Sequence, residues 1–431
     1  MTAKNTRAKA ATEAANDAPA PRGRGRPSKR GQKREALLEG ATALFNARGI
    51  SAISLAEVAE AVGLTRATVY YYVSDRADLV FQCYMRACEL VADDLAAAAE
   101  AANGFERTLA FIRLALTPSR PPTAVLTEIG ALDAAHAEVI GGASARNTAA
   151  LTSFIEAGMA DGSVRPCDAQ VAAQAIIGML AWTQLLPHWS RGADTETRRA
   201  RAAQTMIDLL THGLARDRSV AFHCGIDASR LTPTLVNAFD RRESSSLKLM
   251  QVLAAASRLF NRNGIEATSL DEIAASMGVT KGVLYHYFDD KSDLVTRCYE
   301  RSFEIYEQFV TLAKAHGDDG FRSALINAHL NIQGQVGSLS PLMPQPGFGA
   351  VPEEQRATMQ RRAAQENRTV SAWLQSGIDD GVANPLDAPL VTHIIAGAFG
   401  WLPKWLPPDR PQDPIRMADK IMGMLLTGLR A

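Results

Sequence analysis

The chain has little of what many specialised folds and sites require. Its five cysteines in 431 residues are odd in number and scattered. No Cys-x-x-Cys pair or Cys/His cluster at zinc spacing occurs, which excludes a disulfide framework and points to free thiols in a reducing cytosol. There is no GxSxG, P-loop, HExxH or dinucleotide-binding fingerprint, and β-branched alternation is nearly absent. The sequence therefore gives no reason to expect an enzyme, a cofactor or a metal. The N-terminus is basic but has no apolar core segment, so it does not read as a secretory signal. The longest uncharged stretch, Ala169 to Ser190, contains Gln174, Gln184, Pro187 and His188. It reads as a buried helix and loop and not as a membrane span.

Net charge is also missing, with 46 basic and 46 acidic residues, but its distribution is uneven. Residues 1–34 hold ten Lys/Arg against two acids, and the remainder holds 36 against 44. The positive charge is gathered in one arm, where it can meet phosphate.

What is present is helical periodicity and a long repeat. Apolar residues make up 47% of the chain, enough for sizeable cores, and they recur three and four apart. Phe45–Tyr84 aligns with Phe260–Tyr299 at a constant offset of 215, with 19 identities in 40 positions. Gly158, Asp161 and Gly162 match Gly377, Asp380 and Gly381 at an offset of 219. A period this long is a duplicated domain and not a solenoid, whose repeats run about 20–50 residues. The expected architecture is all-α: a disordered basic arm (1–33), a first DNA-binding head (34–80), a first helical body (81–217), a linker (218–243), a second head (244–295) and a second body (296–431).

In the first head, Gly49 stops a helix. Ser54-Leu55-Ala56-Glu57 then forms a capping box, Gly63 ends the short helix it starts, and Thr65 caps another. Ser269-Leu270-Asp271-Glu272, Gly278 and Thr280 repeat these signals. Two short helices joined by a glycine-containing turn make a helix-turn-helix, whose second helix can lie in a major groove. Its exposed face offers Arg66, Thr68 and Tyr71 in one copy, and Lys281, Gly282 and His286 in the other. A plain helical hairpin is the competing reading. Two copies with matching caps, turns and Tyr-x-Tyr pairs weigh against it.

The segments SLAEVAEAVGLTRATVYYYVSDRADLV and SLDEIAASMGVTKGVLYHYFDDKSDLV resemble the DNA-binding head of the TetR family of regulators. The second copy has the full pattern through Tyr285, Tyr287, Phe288, Lys291, Asp293 and Leu294. The first departs at Val73 and Arg76. The resemblance implies that Thr65 and Thr280 start recognition helices and contact phosphate, with Tyr70 and Tyr285, and that Arg76 and Lys291 face the backbone. Tyr72 and Tyr287 are either contacts or packing residues. It also implies that each body senses a small molecule and dimerises through its last two helices, with Gln170–Leu186 and Ile415–Leu429 suited to that interface. The pocket candidates are Phe154, Trp182, His188, Trp189, Trp373, Trp401 and Trp405; ordinary core is the alternative for each. An apolar effector is the family-level expectation. The Pro-rich loop Ser340–Pro352 either gates the second pocket or is a surface insertion.

Arg24-Gly25-Arg26-Pro27 resembles an AT-hook, whose arginines enter a narrow A·T minor groove. A generic phosphate-binding tail is the alternative. No such arm precedes the second head, so DNA contact should be asymmetric. Two units in one chain can form the usual dimer internally, with reading heads about 34–36 Å apart. The expectation is a cytoplasmic, nucleoid-associated bacterial repressor of double-stranded DNA, binding an imperfect palindrome and released by a small effector. It would be either a monomeric pseudo-dimer or a dimer of pseudo-dimers, with no membrane partner. An architectural DNA-binding protein without ligand control is the rival.

Overall fold

The computed structural model describes residues 29–185, 195–232, 241–344, 351–407 and 412–431. The first unit contains α1 (Lys29–Arg48), α2 (Leu55–Ala61), α3 (Arg66–Tyr70), α4 (Arg76–Ala98), α5 (Gly104–Ala115), a 3-10 turn η1 (Ile129–Ala131), α6 (Ala134–Asp161), α7 (Ala169–Leu185) and α8 (Thr195–His212). After a second 3-10 turn, η2 (Ala228–Leu231), the second unit repeats the order. It comprises α9 (Arg241–Asn263), α10 (Leu270–Ser276), α11 (Lys281–Tyr285), α12 (Lys291–His316), α13 (Gly320–Val336), α14 (Glu353–Asp379), α15 (Ala388–Gly400), the short α16 (Leu402–Trp405) and α17 (Pro414–Thr427). The described residues contain no β-strand, only two isolated bridges, Val164 with Arg430 and Ala215 with Ala383.

The head boundaries follow from local chemistry. Ser54 accepts from Glu57 N while the Glu57 carboxylate accepts from Ser54 N, and Ser269 and Glu272 do the same. Each box satisfies two otherwise orphaned groups at a helix start. Gly63 and Gly278 take φ of +66° and +67°, the left-handed conformation that lets the chain leave one short helix and enter the next.

Two expected boundaries are corrected. Lys29–Lys33, assigned to the arm, form the first turns of α1; Lys, Arg and Gln are good helix formers, and the apolar face beginning at Leu37 anchors them. Arg241–Glu243, assigned to the linker, belong to α9. The rest of the expected linker is not a free tether where it is described. Arg218 donates to Thr427 O (2.8 Å) and to Arg430 O. Cys224 and Ala228 are buried in the second unit's core. Gln333 Oε1 accepts from Ala228 N (2.9 Å) and Gln333 Nε2 donates to Ile226 O (2.8 Å). The apolar Phe222, Cys224 and Ile226 explain this: they gain more by packing than by solvation.

The two units share one core. A single apolar cluster joins Leu109, Ile176 and Leu209 of the first body to Ile394, Ile421 and Leu425 of the second. Helices α7 and α8 pack against α15 and α17, as the resemblance implied. The backbone bonds across the interface obey a pseudo-two-fold: Leu214 N donates to Leu425 O (2.9 Å) and Leu429 N to Leu210 O (2.6 Å), while Arg165 N donates to Leu429 O (2.8 Å) and Asn384 N to Leu214 O (2.8 Å). The chain is thus a dimer folded within itself.

Candidate nucleic-acid interface and ligand cavities

Each recognition helix is short and presented outward by a buried residue, Val69 in one head and Leu284 in the other. In the first head Thr65 caps α3, its Oγ1 accepting from Thr68 N at 3.2 Å with the two hydroxyls 2.8 Å apart. Arg66 and Tyr70 lean together, Nη2 lying 3.4 Å from the phenol oxygen. Tyr70 and Tyr71 are 46% and 62% exposed, a high figure for aromatics. Arg30, on the corrected start of α1, sits over the Tyr71 ring at 4.7 Å. That adds a cation to the reading face which the sequence had placed in the arm. Arg24 and Arg26 lie outside the described residues.

The second head keeps the scaffold and changes the face. Thr280 makes no side-chain cap bond. Lys281 pairs with Asp271 at 3.0 Å, and this contact holds its pKa above the ordinary lysine value. Gly282 and His286 are exposed, as is Tyr285 at 53%. Val283 is 40% exposed where the first head has Thr68. Sequence reading passed over it because an isolated valine reads as core; on a groove-facing helix it is an apolar probe suited to a thymine methyl.

Arg76 and Lys291 have a second occupation. Arg76 Nη1 donates to Ser51 O (3.1 Å), and Lys291 Nζ to Glu266 O (3.0 Å). Both tie the start of the fourth helix of the head to the loop before the helix-turn-helix, while Arg76 stays exposed. Tyr72 and Tyr287 are only partly exposed and pack against the head cores.

Each body encloses a cavity. The first, about 120 Å³, lies among Val91, Phe111, Ile177 and Leu180. The second, about 160 Å³, lies among Phe303, Tyr306, Leu374 and Phe399. Each is lined in part by a tryptophan from the other unit: Trp401 lines the first and Trp182 the second. These residues are equivalent at the 219 offset. Of the other pocket candidates, Phe154, Trp373 and Trp405 do not line these two cavities. Phe154 is turned into the first body's core, Trp373 packs on the second unit's core and Trp405 on the shared one. His188 and Trp189 lie outside the described residues. Met343 and Pro344, from the Pro-rich loop, line the second cavity.

Sequence reading also missed what joins the cavities to the heads. Asn46, at the end of α1, donates from Nδ2 to Thr123 O (2.9 Å) and accepts at Oδ1 from Val125 N (3.1 Å). Asn261, at the end of α9, holds Pro341 O (2.9 Å) and Met343 N (2.9 Å) in the same way. Thr123 and Val125 line the first cavity, Met343 the second. The repeated Phe-Asn pair was the available signal.

One buried cation links the units near the heads. Lys404 Nζ donates to Thr127 O of the first unit and Arg262 O (3.0 Å) of the second. Burial lowers its pKa to about 7, against the pull of Glu128. Glu128 in turn accepts from Ile50 N (2.8 Å) and Ser51 Oγ (2.7 Å).

The model for the N-terminal domain of bacterial regulatory proteins of the tetR family matches residues 37–83 and 252–298. A tetracyclin repressor-like C-terminal domain model matches 106–214 and 343–429. The chain belongs to the tetR family and carries both of its domains twice. Among curated relatives, the HTH-type transcriptional regulator AcrR of Shigella flexneri is 49% identical over 51 residues, 12% of this chain and 24% of the relative. The transposon Tn10 TetC protein of Escherichia coli is 31% identical over 75 residues, 17% of this chain and 38% of the relative. These matches span well under half of each relative. Among solved structures, AibR in complex with isovaleryl coenzyme A and operator DNA is 24% identical, with 41% of this chain and 97% of that chain covered at a TM-score of 0.35. PfmR from Thermus thermophilus is 22% identical, with 42% and 99% covered at 0.33. No described helix is long and apolar enough to cross a membrane.

Proposed function

We propose that the chain is a single-chain transcriptional repressor that binds an imperfect palindrome with two unlike heads and releases it when a small, largely apolar effector enters a body cavity. The observation that carries this reading is the internal pseudo-two-fold. The interface that pairs two family subunits is built here from α7, α8, α15 and α17 of one chain, so one molecule already holds two reading helices. Arg66, Thr68, Tyr70 and Tyr71 serve one half-site, and Lys281, Gly282, Val283, Tyr285 and His286 the other. Thr65 and Thr280 start the two recognition helices, and Arg76 and Lys291 reach phosphate beside them.

The Asn46 and Asn261 clamps support effector control. Each fixes the end of a head helix to a loop that lines a cavity, so a ligand that displaces the loop repositions the head. A bistable element biased from two sites is what coupling requires.

Selection of bound DNA from a random pool tests the reading. One imperfect palindrome, bound by a particle of one-chain mass, is expected. No enriched site, or a shallow preference over nonspecific DNA, would instead support an architectural protein without ligand control.

A further inference from the structure

The two cavities are symmetric in position and opposite in chemistry. Arg120 lines the first cavity and its side chain is 8% exposed. Its Nη1 is engaged by Asp94. Its Nε and Nη2 are buried and have no hydrogen-bond partner among the described residues. Those two N–H groups form the side edge of the guanidinium, on which a carboxylate binds with two parallel bonds. Two buried donors left open are costly, which makes the fork a feature to be explained.

The surrounding charge favours an anion. Arg199 donates to Arg120 O (2.6 Å) and to Gln184 Oε1 (3.4 Å) and has no carboxylate partner among the described residues. Arg199 thus brings a second positive charge beside Arg120. Burial pushes the Asp94 carboxyl up to about 6, still below neutral pH, so Asp94 remains the ion-pair partner of Nη1. Much of the remaining lining is apolar, with Val91, Phe111, Ile177, Leu180 and Trp401, and Ser144, Asn147, Thr148 and Gln184 add neutral polar groups.

The second cavity has lost each of these features. Phe309 and Ser338 stand at the positions equivalent to Asp94 and Arg120, by the 215 offset of the fourth helices and the register of the Asn-clamped loops. Glu366 stands where the first cavity has Asn147, and both line their cavities. Glu366 Oε1 is buried without a hydrogen-bond partner, and Glu307 lies close enough to raise its pKa further. A carboxylate entering there would find an acid and no guanidinium or ammonium group in the lining.

We propose that the first unit's cavity is a site for the carboxylate of a small apolar acid, seated on the Nε/Nη2 fork of Arg120, and that the second cavity excludes such acids. This rests on the reading of the bodies as effector sites and assigns the chemistry of one of them. The chain would then take one carboxylate per molecule, unlike a homodimer with two equal pockets.

Calorimetric titration of the full chain with hexanoate and phenylacetate, each beside its primary amide, tests this. Saturation at one acid per chain is expected, with the amides at least tenfold weaker. Arg120→Lys keeps the charge but loses the fork and should weaken acid binding at least tenfold. Asn147→Glu imports a side chain that the second cavity already tolerates and should abolish binding. Two acids per chain, equal binding of acid and amide, wild-type affinity in both first-cavity variants, or no saturation by either acid at millimolar concentration would each overturn the assignment. Operator selection with the same preparation separates the two readings. A chain that selects a site but binds neither acid loses the carboxylate assignment and keeps the regulator reading. A chain that binds acid and selects no site does the reverse.

Discussion

Gly178 and Gly397 occupy equivalent positions on α7 and α15 and cross face to face. A Cβ on Gly178 would lie 2.4 Å from Gly397 O, and one on Gly397 would lie 2.5 Å from Gly178 O. Only glycine permits this approach, and because both neighbours are backbone, neither can move aside cheaply. The crossing brings Trp182 and Trp401 into each other's cavities, so interface and ligand sites are one construction.

Substitution at this crossing should therefore disturb more than local packing. Gly178→Val forces the two helices apart; overpacking of this kind costs about 1–3 kcal/mol. Urea unfolding should show a loss in that range, while light scattering should still give the mass of one chain because the units stay covalently joined. Unchanged stability would contradict the close crossing.

The heads should be separable by mutation. Arg66→Ala should weaken one half-site of the selected operator and Lys281→Ala the other, each by about 1–3 kcal/mol if the side chain reads a base. Half-site substitutions read by gel shift distinguish this from equal loss across both halves. Lys281 must leave Asp271 to reach DNA, so Asp271→Ala should retain or improve binding.

The asparagine clamps should transmit more than stability. Asn46→Ala leaves Thr123 O and Val125 N unpaired in the protein interior, and Asn261→Ala does the same to Met343 N, while Pro341 O keeps its bond from Gln335 Nε2. A loss of about 1–3 kcal/mol is expected from either, together with a reduced effect of bound ligand on operator affinity. A variant destabilised by that amount yet fully ligand-responsive would remove the clamp from the coupling.

Two buried groups give the stability a pH dependence of opposite sign. Burial, with Glu307 adding to it, pushes the Glu366 carboxyl up to about 8 from 4.5. A raised folded-state pKa means the contribution is complete below pH 4.5 and is lost as pH rises through about 8. Burial lowers Lys404 to about 7 from 10.5. Here the folded state binds fewer protons than the unfolded one, so the contribution grows as pH rises from 7 toward 10.5. Glu366→Gln should gain on the wild type between about pH 5 and 8, at up to about 1.4 kcal/mol per pH unit. Lys404→Met should lose ground to it above about pH 7. Denaturation midpoints across that range check both signs, and parallel curves would refute them.

The sequence alone determined the all-helical class, the duplication, the capping boxes and the turn glycines, because these depend on contacts within a few residues. The 3.6-residue period and a Ser-x-x-Glu box do not need the rest of the protein to be read. It also marked Trp182 and Trp401, whose equivalence follows from the 219 offset. What it could not reach were relations across the fold. The residues past Arg218 looked like a linker until Gln333, more than a hundred positions away, received their backbone groups. Asn46 carries no local signal of its bond to Val125, 79 positions away. Arg120 stands in a Ser-Arg-Pro-Pro stretch that carries no local signal of burial. Only tertiary packing buries its guanidinium at the wall of the first cavity, pairs one nitrogen with Asp94 and leaves the other two without a hydrogen-bond partner among the described residues. Local hydrogen bonding wrote the heads into the sequence, whereas the chemistry of the cavities arises from side chains that meet only when the two halves of the chain close on each other.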